Sequence, residues 1–132
     1  MDESRLRDVP LFASLDNRAL REVASHADEV DLAEGKALMN AGRFAYEFCV
    51  VLDGRAEVFN DDGAIAELGP GDFVGEMGAV TRGRRSASVV SLTPMRLVVM
   101  TAADLRDISR RMPSVAAQIE AAIAERSKAF SG

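Results

Sequence analysis

At 132 residues and 14.2 kDa the chain has room for one domain with a single core. Its 48% hydrophobic and 28% charged residues are ordinary for a globular protein, and no apolar run approaches the ~20 residues of a membrane span. A net charge of −5 and a pI of about 4.9 argue against a direct nucleic-acid partner, which would ask for a basic face.

The opening Met1-Asp2-Glu3 is acidic, unlike a signal peptide. Leu6 to Phe12 carries a short helical turn broken by Pro10. Asp16 is placed to cap a helix over Asn17 to Asp28, in which Leu20, Val23, Ala24 and Ala27 repeat at helical spacing as a core-facing stripe. His26 falls off that stripe and reads as a solvated surface residue. As the only histidine it leaves no support for a metal site, a metal-dependent jelly-roll enzyme or a His-based triad.

From Glu29 the period becomes that of strands. The candidates are Glu29–Ala33, Ala37–Met39, Tyr46–Leu52, Arg55–Asn60, Ala64–Leu68, Asp72–Val74, Ser86–Leu92 and Met95–Met100. Gly35, Gly42, Asp53-Gly54, Asp61-Asp62-Gly63 and Gly69-Pro70-Gly71 separate them, with the Asp61 run forming a hairpin turn. Many short strands at this spacing imply a jelly roll or sandwich rather than a parallel sheet. Cys49, the one cysteine, lies in an apolar run and reads as a small buried hydrophobe in a reducing compartment, so the cytoplasm is the expected address. Thr101 caps a further helix anchored by Leu105 and Ile108. Pro113 and Ser114 open a last one to about Phe130, with Val115, Ile119, Ala122, Ile123 and Phe130 on one stripe and Arg126 inside it, either snorkelling at the stripe's edge or meeting a ligand.

The chemistry concentrates in Gly71 to Val89, GDFVGEMGAVTRGRRSASV. Gly75 has no Cβ to hold an anion away from the backbone, and the N–H groups of Glu76, Met77 and Gly78 open a short helical turn of the kind that accepts phosphate. Arg85 is a planar, always-charged fork suited to phosphate oxygens. Arg85, Ala87 and Val89 share strand parity, and the small apolar partners mark their face as the interior. An inward guanidinium is costly unless an anion meets it, whereas Arg82 and Arg84 read as solvated loop charges. Glu76 would repel a phosphate but can accept from a sugar hydroxyl beside it. These residues ask for an anion that carries a sugar.

GEMGAVTRGRRSASV closely resembles the phosphate-binding cassette of cyclic nucleotide-binding domains, the family of catabolite activator proteins, cyclic-nucleotide-dependent kinases and gated channels. The LFASL and VVLDGRAEV stretches and the turn glycines extend the likeness over roughly Leu6 to Phe130. The chain departs from the family pattern at Ala79, where a larger aliphatic is usual, at Arg84, where proline is common, and at Arg43, where an acid is common. The resemblance implies a mainly β fold, a double-stranded β-helix (a jelly-roll-like β-roll) over 29–100, with the cassette at 73–89. A helical N-terminus would occupy 1–28 and two C-terminal helices 101–130, all in one domain.

The resemblance also implies a non-catalytic regulatory module for a cyclic nucleotide monophosphate, cAMP or cGMP, with no other cofactor; cAMP is the favoured ligand, though the Ser86 hydroxyl after Arg85 resembles members that accept either base. Glu76 would accept from the ribose 2′-hydroxyl, and Arg85 would pair with an exocyclic phosphate oxygen. The backbone of Gly75 to Gly78 would bind phosphate with Ser86. Val74, Ala87 and Val89 would line the apolar side, and Arg126 on the last helix would cover the base. Nucleotide would shift the helices after Thr101, and the output would lie in an effector domain or partner protein outside this chain. The alternative is a ligand-independent docking or dimerisation domain, a homodimer through the last helix, in which Glu76 and Arg85 form an internal ion pair.

Overall fold

The computed structural model describes residues 1–41, 43–75 and 87–130, leaving aside the side chains of residues 44, 119, 122, 123 and 125–130. Two helices come first, α1 (Glu3–Arg7) and α2 (Asn17–His26). Nine described strands follow: β1 (Asp28–Leu32), β2 (Ala37–Asn40), β3 (Arg43–Phe44), β4 (Phe48–Asp53), β5 (Ala56–Asn60), β6 (Gly63–Leu68), β7 (Phe73–Gly75), β8 (Ser88–Ser91) and β9 (Met95–Met100). The chain closes with α3 (Ala102–Arg111) and α4 (Pro113–Phe130). The strands form two antiparallel sheets, ordered β1-β9-β4-β7 and β3-β2-β8-β5-β6. This is the expected β-roll flanked by helices.

Local chemistry sets most boundaries. Asp16 accepts from the Ala19 N–H at 2.8 Å and Thr101 from the Asp104 N–H at 3.0 Å, caps that each contribute about 1 kcal/mol. Between β5 and β6 the chain reverses through Asp61-Asp62, with Asn60 paired to Gly63 and the Asn60 side chain accepting from the Asp62 N–H at 2.9 Å.

The strand β4 is buried from Phe48 through Val51 because both of its faces are covered. Phe48 and Val50, with Val98 and Met100 of β9, pack on α2 and α3 through Leu20, Val23, Ala24, Leu105 and Ile108. Cys49 and Val51, with Met95 and Leu97, face the inside of the roll and meet Leu38, Val58 and Val89 of the second sheet. Alternation along two strands thus divides the core into a helical layer and a roll interior.

Several expected elements shift. The first helix lies at Glu3–Arg7, capped by Asp2, whereas Val9 to Leu15 forms turns that bury Val9, Leu11, Phe12 and Leu15. The second helix stops at His26 because Ala27 is extended, with φ −112° and ψ 149°, and Asp28 already pairs with Val99. The expected strand Tyr46–Leu52 begins only at Phe48. The short β3 before it, absent from the sequence reading, pairs Arg43 with Asn40 after Ala41 takes a positive φ of 49°. The strand expected at Ser86–Leu92 runs Ser88–Ser91, with Ser86 outside the described residues, and the one expected at Asp72–Val74 runs Phe73–Gly75.

Candidate functional site

The two ends of the cassette lie in different sheets. β7 is the edge of the four-stranded sheet, and β8 lies in the middle of the five-stranded one. Residues 76–86 join them and lie outside the described residues, so Glu76, Met77, Gly78, Arg85 and Ser86 carry no structural description. The Arg126 side chain on α4 is likewise outside it.

At the described ends, three residues singled out from the sequence come together. Val74 (1% exposed), Ala87 (0%) and Val89 (0%) belong to one buried cluster inside the roll. Strand alternation accounts for this: Phe73 faces the helical layer, so Val74 must face inward. Val74 pairs with Cys49 across the β4–β7 ladder, and burial pushes the Cys49 thiol up to about 12 despite a hydrogen bond to the Val74 backbone. The thiol is a core atom rather than a nucleophile, as its apolar surroundings in the sequence imply.

Gly75 has a structural cause that its motif does not reveal. Its φ is 145°, and a Cβ built there would stand 2.3 Å from the Glu47 carbonyl oxygen and 2.7 Å from Phe48 Cα. The backbone of β4 itself therefore demands glycine at this point, just where the chain leaves the sheet for the cassette. Below the second sheet, Ser91 is 2% exposed. Its hydroxyl accepts from the Lys36 N–H at 2.9 Å and lies 2.7 Å from the Ala33 carbonyl, to which it donates. This buried hydroxyl ties the β1–β2 turn to β8.

His26 is not solvated as its helical position implied. It is half-buried at the end of α2, with Nδ1 3.2 Å from Asp104 Oδ1 on α3. Its Nε2 lies 3.6 Å from Glu22 Oε1 and 3.4 Å from the Arg111 guanidinium. Nothing in the sequence points to this cluster, because His26 and Asp104 are 78 positions apart. Glu47 was also missed; its carboxylate accepts from the Ala102 N–H at 3.3 Å, at the start of α3. Among the described residues no group of three potential ligands is placed to hold a metal ion, and no helix is long and apolar enough to cross a membrane.

Comparison with known proteins agrees with this geometry. The family model of the cyclic nucleotide-binding domain matches residues 29–112. A cyclic nucleotide-gated potassium channel of Rhizobium etli is 30% identical over 118 residues, which are 89% of this chain and 33% of the channel. The cyclic AMP receptor protein of Thermus thermophilus is 28% identical over 92% of this chain and 58% of its own length. The chain thus spans between a third and three-fifths of these relatives. A solved chain from Geobacter metallireducens GS-15 superposes with a TM-score of 0.78 at 22% identity, covering 100% of this chain and 99% of that one, a likeness of fold alone. The match covers the whole β-roll and α3, and on it this chain belongs to the cyclic nucleotide-binding domain family, a family of regulatory modules.

Proposed function

We propose that the chain binds a cyclic nucleotide monophosphate in the roll interior, with cAMP preferred over cGMP, and that binding repacks the helices after Thr101. The observation that carries this reading is the convergence of Val74, Ala87 and Val89 in one buried cluster at the two ends of the cassette. The sequence parity that Arg85 shares with Ala87 and Val89 supports an inward face for it, where an unmatched guanidinium would be costly. A phosphodiester meets that charge, with Glu76 accepting from the ribose 2′-hydroxyl and the Gly75 to Gly78 backbone and Ser86 completing the phosphate contacts. Arg126 covers the base from α4. The preference for cAMP rests on the likeness to the Thermus cyclic AMP receptor protein. Helix repacking is supported by where α3 sits: it follows β9 directly, and it packs on the helical face of the sheet whose other face lines the roll. The effector on which the module acts lies in a separate domain or partner.

Calorimetric titration of the chain, stripped of any nucleotide carried through purification, tests binding directly. Saturable heat with cAMP at micromolar concentration, and weaker binding of cGMP, is the expected result. No heat from either nucleotide overturns the reading in favour of a docking or dimerisation domain. Amide exchange across Leu105–Phe130 with and without cAMP tests the repacking, and identical protection would leave a binder that does not switch.

A further inference from the structure

We propose that His26 is a proton-operated latch that decides whether the C-terminal end of α3 is held to α2. Every tie in this cluster is between described residues. Nδ1 of His26 faces Asp104 at 3.2 Å, near the start of α3. Nε2 faces two groups of opposite demand, the Glu22 carboxylate at 3.6 Å and an Arg111 guanidinium nitrogen at 3.4 Å. Arg111, at the last position of α3, also pairs with that same Glu22 oxygen and with Asp107 at 3.0 Å.

The two charge states of the ring use these partners differently. A neutral imidazole protonated on Nδ1 donates to Asp104 and leaves Nε2 free to accept from Arg111. That state links both ends of α3 to α2. Adding a proton turns Nε2 into a donor. The ring then competes with Arg111 for Glu22 Oε1 and sets a second positive charge against the guanidinium, while the Asp104 tie gains a charge. Protonation therefore tightens the N-terminal end of α3 and releases its C-terminal end, immediately before Pro113 opens α4.

The surrounding charges do not obscure this exchange. Asp28, Tyr46 and Glu47 line the same cleft of about 270 Å³ beside His26 and Asp104. Glu47 is engaged with the start of α3, and the Met1 ammonium is engaged with the Ala24 and Ala27 carbonyls at the end of α2. The hydrogen bond that Arg111 donates to the Glu22 carboxylate pushes its guanidinium up, so Arg111 keeps its charge throughout. Histidine is the side chain that changes charge between pH 5 and 8, while ordinary carboxylates stay ionised above pH 6.

The latch itself is independent of any ligand. Its consequence, a pH-dependent nucleotide affinity, rests on the reading proposed above. The test is residue-resolved amide exchange of the ligand-free chain at pH 8 and pH 6, corrected for intrinsic exchange, in wild type, His26→Gln and Glu22→Gln. In wild type, acidification should lower protection at Arg110 to Ala116 by roughly fivefold, the scale of one exposed ion pair, without lowering it at the start of α3. His26→Gln, which cannot take up the proton, should hold protection constant between the two pH values. Glu22→Gln, which removes the contested negative charge, should shrink the wild-type response. A wild-type profile that does not change with pH, or one that His26→Gln reproduces, overturns the latch. Titration of wild type with cAMP at both pH values is read separately: absence of binding at either pH rejects the nucleotide reading and leaves the exchange result to judge the latch.

Discussion

Gly75 and Phe48 are paired across β7 and β4 at a distance that admits no side chain on the glycine. The residue that opens the cassette is thus fixed by the sheet beneath it, before any ligand contact is considered. Gly75→Ala adds a Cβ to a backbone at φ 145° and drives it into the β4 main chain. Urea unfolding of the ligand-free variant should show a loss of about 2–4 kcal/mol. A midpoint equal to wild type would mean that β7 and β4 lie further apart than they do here.

Arg85→Ala separates binding from stability. Losing a charge-assisted contact to phosphate should weaken cAMP binding by roughly a hundredfold or more in calorimetry. Its unfolding midpoint should not fall, since a guanidinium without its anion gives the fold nothing. Wild-type affinity in this variant would remove Arg85 from the site.

Ser91→Ala tests the buried hydroxyl beneath β8. The Lys36 N–H would lose its acceptor and the Ala33 carbonyl its donor, so a destabilisation of about 1–3 kcal/mol is expected in denaturant. Ser91→Thr keeps the hydroxyl but adds a methyl group in a site that is 2% exposed, and should recover only part of the loss.

Cys49 gives the fold an alkaline limit. Its folded thiol is pushed up to about 12 from an ordinary 9.0, because burial disfavours the thiolate. The unfolded chain therefore releases this proton first as pH rises. The thiol's contribution is fully present below pH 9 and declines by roughly 1.4 kcal/mol per unit toward pH 12. Stability measured from pH 8.5 to 11 should fall more steeply in wild type than in Cys49→Ala. Parallel curves would show that the thiol is solvated. Native Cys49 should also resist alkylation at pH 8 and react once the chain is unfolded.

Where local chemistry is strong, the chain's layout is readable from residues alone. Asp16, Thr101 and Pro113 start the helices that their residue types imply, and Asp61-Asp62 turns its hairpin, because caps and two-residue turns are settled within four or five positions. The strand Met95–Met100 falls at its expected limits, its largely apolar run being bounded by Pro94 and by the Thr101 cap. β3 escaped because two residues carry no period, and its pairing depends on the turn at Ala41. α1 lies earlier than the sequence pattern implies because Asp2 caps it, while the segment around Pro10 forms turns rather than helix.

The candidate site divides in the same way. The cassette is contiguous, so its Gly-Glu pair, its arginine and the parity of Ala87 with Val89 could all be read along the chain, and the family followed from them. Tertiary structure alone decided that Val74, from one sheet, meets Ala87 and Val89 from the other, that β4 leaves no room beside Gly75, and that His26 stands against Asp104 and Arg111. Those contacts join residues far apart in sequence. Their geometry is set by how two twisted sheets and four helices pack together, which no local pattern of residue types encodes.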